Sequence, residues 1–199
     1  QDAWTNDKKG ILLSIDFEKA FDSLSHDFII AVMEIAGFGS RLKEWIKVLL
    51  SNFTSRVNHV GNLLKSIELG RGARQGDPIA SLLFVLCIEI LLIAIRSNPN
   101  VKPYTYFTGL NKEPITSKTE AFADDVTLTL PYNEDSLRTA VAIFKKFSKI
   151  SGLTLNQGKT QVMIIGKQAG KTAKLAPDLG LNWVNEITIL GIKLYPEPK

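Results

Sequence analysis

Apolar positions along the chain change period several times, and each change predicts an element. Residues 11–17, "ILLSIDF", form an aliphatic run that alternates only loosely, as a buried strand does. "HDFIIAVMEIAGFG" carries helical spacing and stops at glycine, and "SRLKEWIKVLLSNF" predicts a second, amphipathic helix. "SRVNHVGNLLKSIELGRG" predicts a hairpin turning at Gly61-Asn62. "DPIASLLFVLCIEILLIAIR" predicts a long helix with Asp77 as N-cap and Pro78 at the first helical position. Two strands follow, "KPYTYFTG" and "ITSKTEAFA", turning at "LNKEP". "TLTL" leads into the helix "NEDSLRTAVAIFKKFSKISG", stopped by Gly152. A strand "QVMIIG", a basic loop "KQAGKTAK" and a last strand "ITILGIKL" complete the pattern. There is no internal repeat, and the irregular alternation of helices with hairpins predicts an α+β fold.

Composition narrows the class. With 199 residues, 45% hydrophobic and 22% charged, the chain suits one globular domain spanning 1–199 better than two. Cys87 is the only cysteine and lies in an apolar run, which excludes an internal disulfide or a cysteine-based zinc site. That usage suits a reducing, intracellular compartment, with nucleus and cytoplasm equally open. "QDAWTNDKKG" lacks a basic-then-apolar leader, and a start without methionine predicts a piece of a longer polypeptide.

Charge is uneven. Lys145 to Lys199 holds nine lysines against three acids, a balance of +6, while the remainder carries −2. A basic end on a nearly neutral body suits a polyanionic partner; a solvated helix face with a lysine-rich loop is the plainer explanation. Two decoys fall away. The helix Ile79–Ile95 is short of the ~20 residues a bilayer needs and contains Glu89, so no membrane partner is expected. "GLTLNQGKT" has five residues between its glycines where a phosphate-binding P-loop requires four.

The chemistry gathers around carboxylates. "AFADDVTLTL" sets Asp124 and Asp125 side by side in a strand-like apolar run, where unpaired charges are costly. Asp16 ends the apolar strand of "LLSIDFEKAFDSL". If the two strands pair, three carboxylates converge, an oxygen-rich set of the kind that suits Mg²⁺. Two such ions can clamp the attacking and leaving oxygens of a displacement at phosphorus. "ADD" alone is weak, since aspartates also serve as turn formers.

In order along the chain, five segments resemble the reverse transcriptases of non-LTR (LINE-like) retrotransposons. "DFEKAFDSLSHDF" resembles the family's first palm motif and "GARQGDPIASLLF" its second. "FADD" resembles its catalytic hairpin, "SGLTLNQGKTQVMIIG" its fourth motif and "ITILGI" its primer grip. The resemblance spans Ile11 to Leu194. It implies a right-hand polymerase palm, an antiparallel sheet packed on helices, with part of the fingers; the preceding fingers segment and the thumb are expected outside it.

What the resemblance implies can be carried over residue by residue. Asp16, Asp124 and Asp125, with the Phe17 carbonyl, would hold two Mg²⁺ ions, for which Mn²⁺ can substitute. Asp124 matches the hairpin acid on which the family relies most, with Asp125 more peripheral. Phe21 stands where the family sets a ring against the sugar, excluding a 2′-hydroxyl; a core phenylalanine is the alternative. Gln75 and Gly76 would approach the incoming nucleotide, and Arg74 would offer a cation to phosphate. Lys159 would donate a proton to departing pyrophosphate or neutralise it, unless it is simply a surface lysine. The chain departs from the family at Ala80, usually serine, and at Ser81, often proline, so a hydroxyl at the helix start is lost.

The expected activity is RNA-directed DNA polymerisation, with RNA template, DNA primer and dNTPs as partners. Fingers, thumb and an endonuclease region would belong to the parent chain, and this stretch alone would be inactive. A non-catalytic, nucleic-acid-binding remnant of a mobile element is the alternative from another class. An intron-encoded reverse transcriptase is a third reading, which "KAFDSLSHDF" fits less well than the LINE-like pattern.

Overall fold

The computed structural model describes residues 8–51, 54–73, 76–107, 114–166 and 169–196. In chain order its elements are strands β1 (Gly10–Ile15) and β2 (Phe17–Glu18), the helical turn α1 (Ala20–Ser23), and helices α2 (His26–Ile35) and α3 (Ser40–Ser51). Four two-residue strands follow: β3 (Thr54–Ser55), β4 (Asn58–His59), β5 (Asn62–Leu63) and β6 (Ile67–Glu68). Then come α4 (Pro78–Ser97), β7 (Tyr104–Phe107), β8 (Pro114–Ser117), β9 (Thr119–Phe122), β10 (Asp125–Pro131) and α5 (Glu134–Ser151). Strands β11 (Thr154–Leu155), β12 (Gln161–Ile165), β13 (Asn182–Trp183), β14 (Ile187–Ile189) and β15 (Ile192–Leu194) complete the order. The chain divides into two compact units. One comprises Gln1–Phe17, Leu91–Lys146 and Leu155–Lys199; the other comprises Glu18–Ile90 and Phe147–Thr154.

The first unit is built on a five-stranded sheet in the order β13-β12-β1-β10-β9. Strand β1 lies at its centre, antiparallel to β10 from Gly10↔Pro131 to Ile15↔Val126, and antiparallel to β12 on its other side. Ile11, Leu13 and Ile15 bury one face together with Leu128, Leu130 and Val162. On the opposite face Leu12 and Met163 form a core cluster with Ile187, against which Ile189 and Leu194 pack. Burial on both faces explains why "ILLSI" scarcely alternates. Buried Leu137, Ala140, Val141 and Phe144 recur at helical spacing along α5, whose first turn is capped by Asn133 Oδ1 accepting from the Ser136 N–H at 2.8 Å.

Two expectations from the sequence are corrected in this unit. "ITILGIKL" is not one strand but the hairpin β14–β15, turning at Leu190-Gly191 with φ of 49° and 80°. A leucine at the turn hid the break, because its hydrophobicity continues the strand pattern. "ITSKTEAFA" is likewise two strands: β8 pairs with β7, whereas β9 joins the main sheet beside β10. Lys118 stands between them, its Nζ donating to the carbonyls of Arg96 at 2.8 Å and Asn98 at 3.2 Å. The "LNKEP" turn lies outside the described residues except for Pro114.

In the second unit α2 begins with Ser25 Oγ accepting from the Phe28 N–H at 3.3 Å, and its end is turned at Gly37. Phe28 meets Phe147 edge-on at 5.5 Å between ring centroids. The hairpin expected at 55–72 is present as β4–β5 inside β3–β6, but it turns at Val60-Gly61, one residue earlier than expected. His59 pairs with Asn62, leaving a two-residue loop with φ of 49° and 81°. Positive φ at both positions is the hand of turn that matches strand twist, and Gly61 serves it at its second position. Asp77 caps α4 as expected, its Oδ1 accepting from the Ile79 N–H at 2.9 Å. Helix Pro78–Ser97 is long and apolar enough to cross a bilayer by length and composition, with 44% of its most apolar window buried in the chain. Within it, burial pushes the Cys87 thiol up to about 12, leaving it un-ionised and inert at neutral pH.

Candidate active site

The register of β1 against β10 brings two of the sequence-predicted acids to one end of the sheet. Ile15 pairs with Val126, so Asp16 leaves β1 where Asp125 enters β10. Asp125 in turn pairs with Phe122 across the β9–β10 hairpin, whose two-residue turn is Ala123-Asp124. Ala123 has φ of 54°, a left-handed conformation uncommon away from glycine and often found at functional turns. Asp124 thus occupies the tip of a tight turn, beside the pair formed by its neighbour.

Electrostatics record this crowding of charge. The Asp125 carboxyl is held above its ordinary value by burial first, then by the negative charges of Asp124 and Asp16. Among the described residues the cation paired with the cluster is Lys159, whose Nζ lies 4.0 Å from Asp16 Oδ1. Its side chain is 72% exposed, so the pair holds the cation loosely.

The donor set fits a hard divalent cation in kind, since carboxylate oxygens are ligands such ions prefer. The strands pair as expected, but among the described residues no group of three His, Cys, Asp or Glu side chains is placed so as to hold a metal ion, so the expected convergence of three carboxylates into a ligand set is not met. Mg²⁺ commonly takes only one or two protein carboxylates, with water and substrate phosphate in the rest of its shell.

Residues 156–160 lie against Asp16. The Asp16 carbonyl accepts the Asn156 N–H at 2.9 Å, and the Asp16 N–H donates to Thr160 Oγ1 at 3.4 Å. Sequence reading singled out Lys159 in this segment and passed over both neighbours. The available signal was a threonine directly before an apolar strand and an asparagine three residues before the lysine, a spacing that favours an Asx turn.

The residues assigned to the nucleotide belong to the second unit. Phe21 stacks on the buried Phe84 with centroids 4.7 Å apart and rings inclined by 24°. Its carbonyl accepts the Ala73 N–H at 2.6 Å, the Leu24 carbonyl accepts the Gly72 N–H at 2.8 Å, and His26 Nε2 donates to the Gly72 carbonyl at 2.8 Å. Three hydrogen bonds therefore stitch the loop before Arg74 to the segment carrying Phe21. Gly72 is required here: its φ is 91°, and a Cβ would stand 2.8 Å from the Asp22 carbonyl oxygen. His26 had no signal in the sequence, because its partner is a main-chain carbonyl 46 residues away. Gly76 is exposed with φ of 86°, while Arg74 and Gln75 lie outside the described residues. Ala80 is buried, and the helix start it was expected to weaken is capped by Asp77.

A largely antiparallel sheet with acids at one end of its central strands and a tight acidic hairpin is the arrangement of a polymerase palm. The fold is shared with the telomerase of Candida tropicalis in its apo form, at a TM-score of 0.62 and 12% identity over 98% of this chain and 33% of that one. It is shared also with the telomerase of Candida albicans in complex with a TWJ fragment of telomeric RNA, at 0.59 and 13% over 96% and 30%. Residues 1–194 match the family profile described as reverse transcriptase (RNA-dependent DNA polymerase), and the chain belongs to that family.

Its relatives are those of non-LTR retrotransposons. It is 30% identical over 160 residues to the retrovirus-related Pol polyprotein from type-1 retrotransposable element R2 of Popillia japonica, covering 80% of this chain and 21% of the relative. It is 30% identical over 189 residues to the transposon TX1 uncharacterized 149 kDa protein of Xenopus laevis, covering 93% and 14%. The type-2 element R2DM polyprotein of Drosophila melanogaster is 29% identical over 150 residues, covering 74% and 13%. The chain therefore spans about a fifth or less of the length of these three relatives.

Proposed function

We propose that this chain forms the catalytic centre of an RNA-directed DNA polymerase that copies the RNA of a non-LTR retrotransposon. The observation that carries this reading is the β1–β10 register, which puts Asp16 opposite Asp125 with Asp124 in the adjoining turn. Family membership supports the reaction class. In that reaction a primer 3′-oxygen bonds to the α-phosphorus of a dNTP while the bond from that phosphorus to pyrophosphate breaks.

Asp16, Asp124 and Asp125, with the Phe17 carbonyl, are the residues that would hold two Mg²⁺ ions, or Mn²⁺ in their place. When bound, such ions supply neutralisation of phosphate charge and acidification of a hydroxyl. The protein's own work is positioning and electrostatic preparation. Lys159, exposed and only loosely paired with Asp16, is free to turn its ammonium toward pyrophosphate and give it a proton. Phe21, braced by Phe84, would present a ring edge that leaves no room for a 2′-hydroxyl. Arg74, Gln75 and Gly76 would meet the nucleotide's phosphates and base.

The test uses the full-length protein carrying this chain, an RNA template with an annealed DNA primer, dNTPs and Mg²⁺. Extension is expected, and Asp16→Asn or Asp124→Asn is expected to abolish it without unfolding the protein, since relief of the repulsion on Asp125 should leave the melting temperature no lower than the parent's. Nucleic-acid binding without extension by the unaltered protein would establish a non-catalytic remnant instead.

A further inference from the structure

The main-chain ladder between β1 and β12 ends at Ser14↔Gln161, two residues short of Asp16. Beyond it the next residue of β12's strand line is Thr160, which is 6% exposed. Its hydroxyl accepts the Asp16 N–H at 3.4 Å, continuing the ladder with a side chain where no carbonyl reaches. Four residues earlier the Asn156 N–H donates to the Asp16 carbonyl at 2.9 Å. Both main-chain polar groups of Asp16 are therefore held by one turn.

The turn is itself closed. The Asn156 carbonyl accepts the N–H of Thr160 at 2.8 Å and that of Lys159 at 3.2 Å, and Asn156 Oδ1 accepts the Lys159 N–H at 3.2 Å. The peptide planes on either side of a residue fix the direction of its Cα–Cβ bond, and aspartate has only one methylene beyond it. Clamping those planes thus aims the carboxylate.

We infer that Thr160, supported by Asn156, is a positioning residue that fixes the aim of Asp16 and carries Lys159 on the same bracket. This rests on the polymerase reading for the significance of Asp16, though not for the bracket itself. A carboxylate that shares an ion with substrate must be aimed before substrate arrives, since residues that orient ligands typically contribute 10–100-fold to affinity or activity, roughly speaking. The Thr160 hydroxyl contributes nothing to the apolar cores that a valine of the same shape would not.

The experiment compares Thr160→Val, Thr160→Ser and Asn156→Ala with the unaltered full-length protein. Amide hydrogen exchange is read at Asp16 and, as a control, at Leu12 and Leu13 in the same strand. Thr160→Val should speed exchange at Asp16 by roughly tenfold, the worth of one hydrogen bond, with Leu12 and Leu13 unchanged. In primer extension it should lower kcat by about 10–100-fold with KM for dNTP unchanged. Thr160→Ser should restore both, and Asn156→Ala should repeat the Asp16 exchange effect. Unchanged exchange at Asp16, a uniform rise along β1, or failure of serine to restore it would overturn the bracket. If exchange responds as expected but the unaltered protein extends no primer, the polymerase reading fails and the bracket stands.

Discussion

Asp125→Asn should make the protein more stable at neutral pH, although it removes an acid of the proposed site. The Asp125 carboxyl is raised above its ordinary 3.8 by burial, then by Asp124 and then by Asp16. An acid whose folded value is raised favours folding only while protonated. Its contribution is fully present below the unfolded value of 3.8 and lost as pH rises through the raised folded value. At pH 7 the folded state therefore bears the whole penalty. Asp125 is exposed at the sheet end, so each repulsion is screened to roughly 0.2–1 kcal/mol, the scale of exposed charge pairs. With two neighbours the penalty comes to about 1 kcal/mol, a rise in Tm of roughly 2–4 °C for a chain of this size.

The assay is thermal unfolding followed by circular dichroism from pH 3 to pH 8, with and without Mn²⁺. The gap between variant and parent should open as pH rises above about 4. Saturating Mn²⁺ should close or reverse it, because a ligand that prefers the folded state stabilises only the chain able to bind it. A variant that melts no higher than its parent at pH 7, or a gap that widens toward pH 3, would refute the reasoning.

Other consequences can be measured independently. Val60 is 88% exposed at φ 49°, so Val60→Asn should raise stability by about 1 kcal/mol, read from chemical denaturation, since asparagine tolerates this conformation and valine does not. Phe21→Ala should lower the ratio of dNTP to rNTP incorporation; it should also lower stability by about 1 kcal/mol or more through loss of the Phe84 stack, and an unchanged ratio in a folded variant would reduce Phe21 to a core residue. His26→Phe should speed amide exchange at Gly72 and Ala73 relative to α2, because Gly72 loses the donor to its carbonyl. Lys118→Met should lower Tm by a few degrees, about 1 kcal/mol, as two carbonyls at the end of α4 lose their charged donor.

Sequence by itself determined the elements whose signals are local. Asp77-Pro78 begins α4, Asn133 begins α5 and Gly37 turns α2, because caps act within one turn of helix. It also determined which acids stand at strand ends, since Asp16 and Asp125 interrupt runs that must be buried. Hairpin turns were less legible: Val60 and Leu190 sit at positive φ where their apolar side chains read as strand, leaving only the following glycine as a sign. Tertiary structure alone decided that β1 is flanked by β10 and β12, which sets Asp16 against Asp125 across more than a hundred residues of chain. It alone decided the bracket of Asn156 and Thr160 on Asp16 and the stitching of Gly72 by His26. Each of these contacts has a main-chain N–H or carbonyl on at least one side, and every residue carries those groups alike. Nothing in the identity of the residues records which of those groups will meet; only the register of the folded strands assigns them.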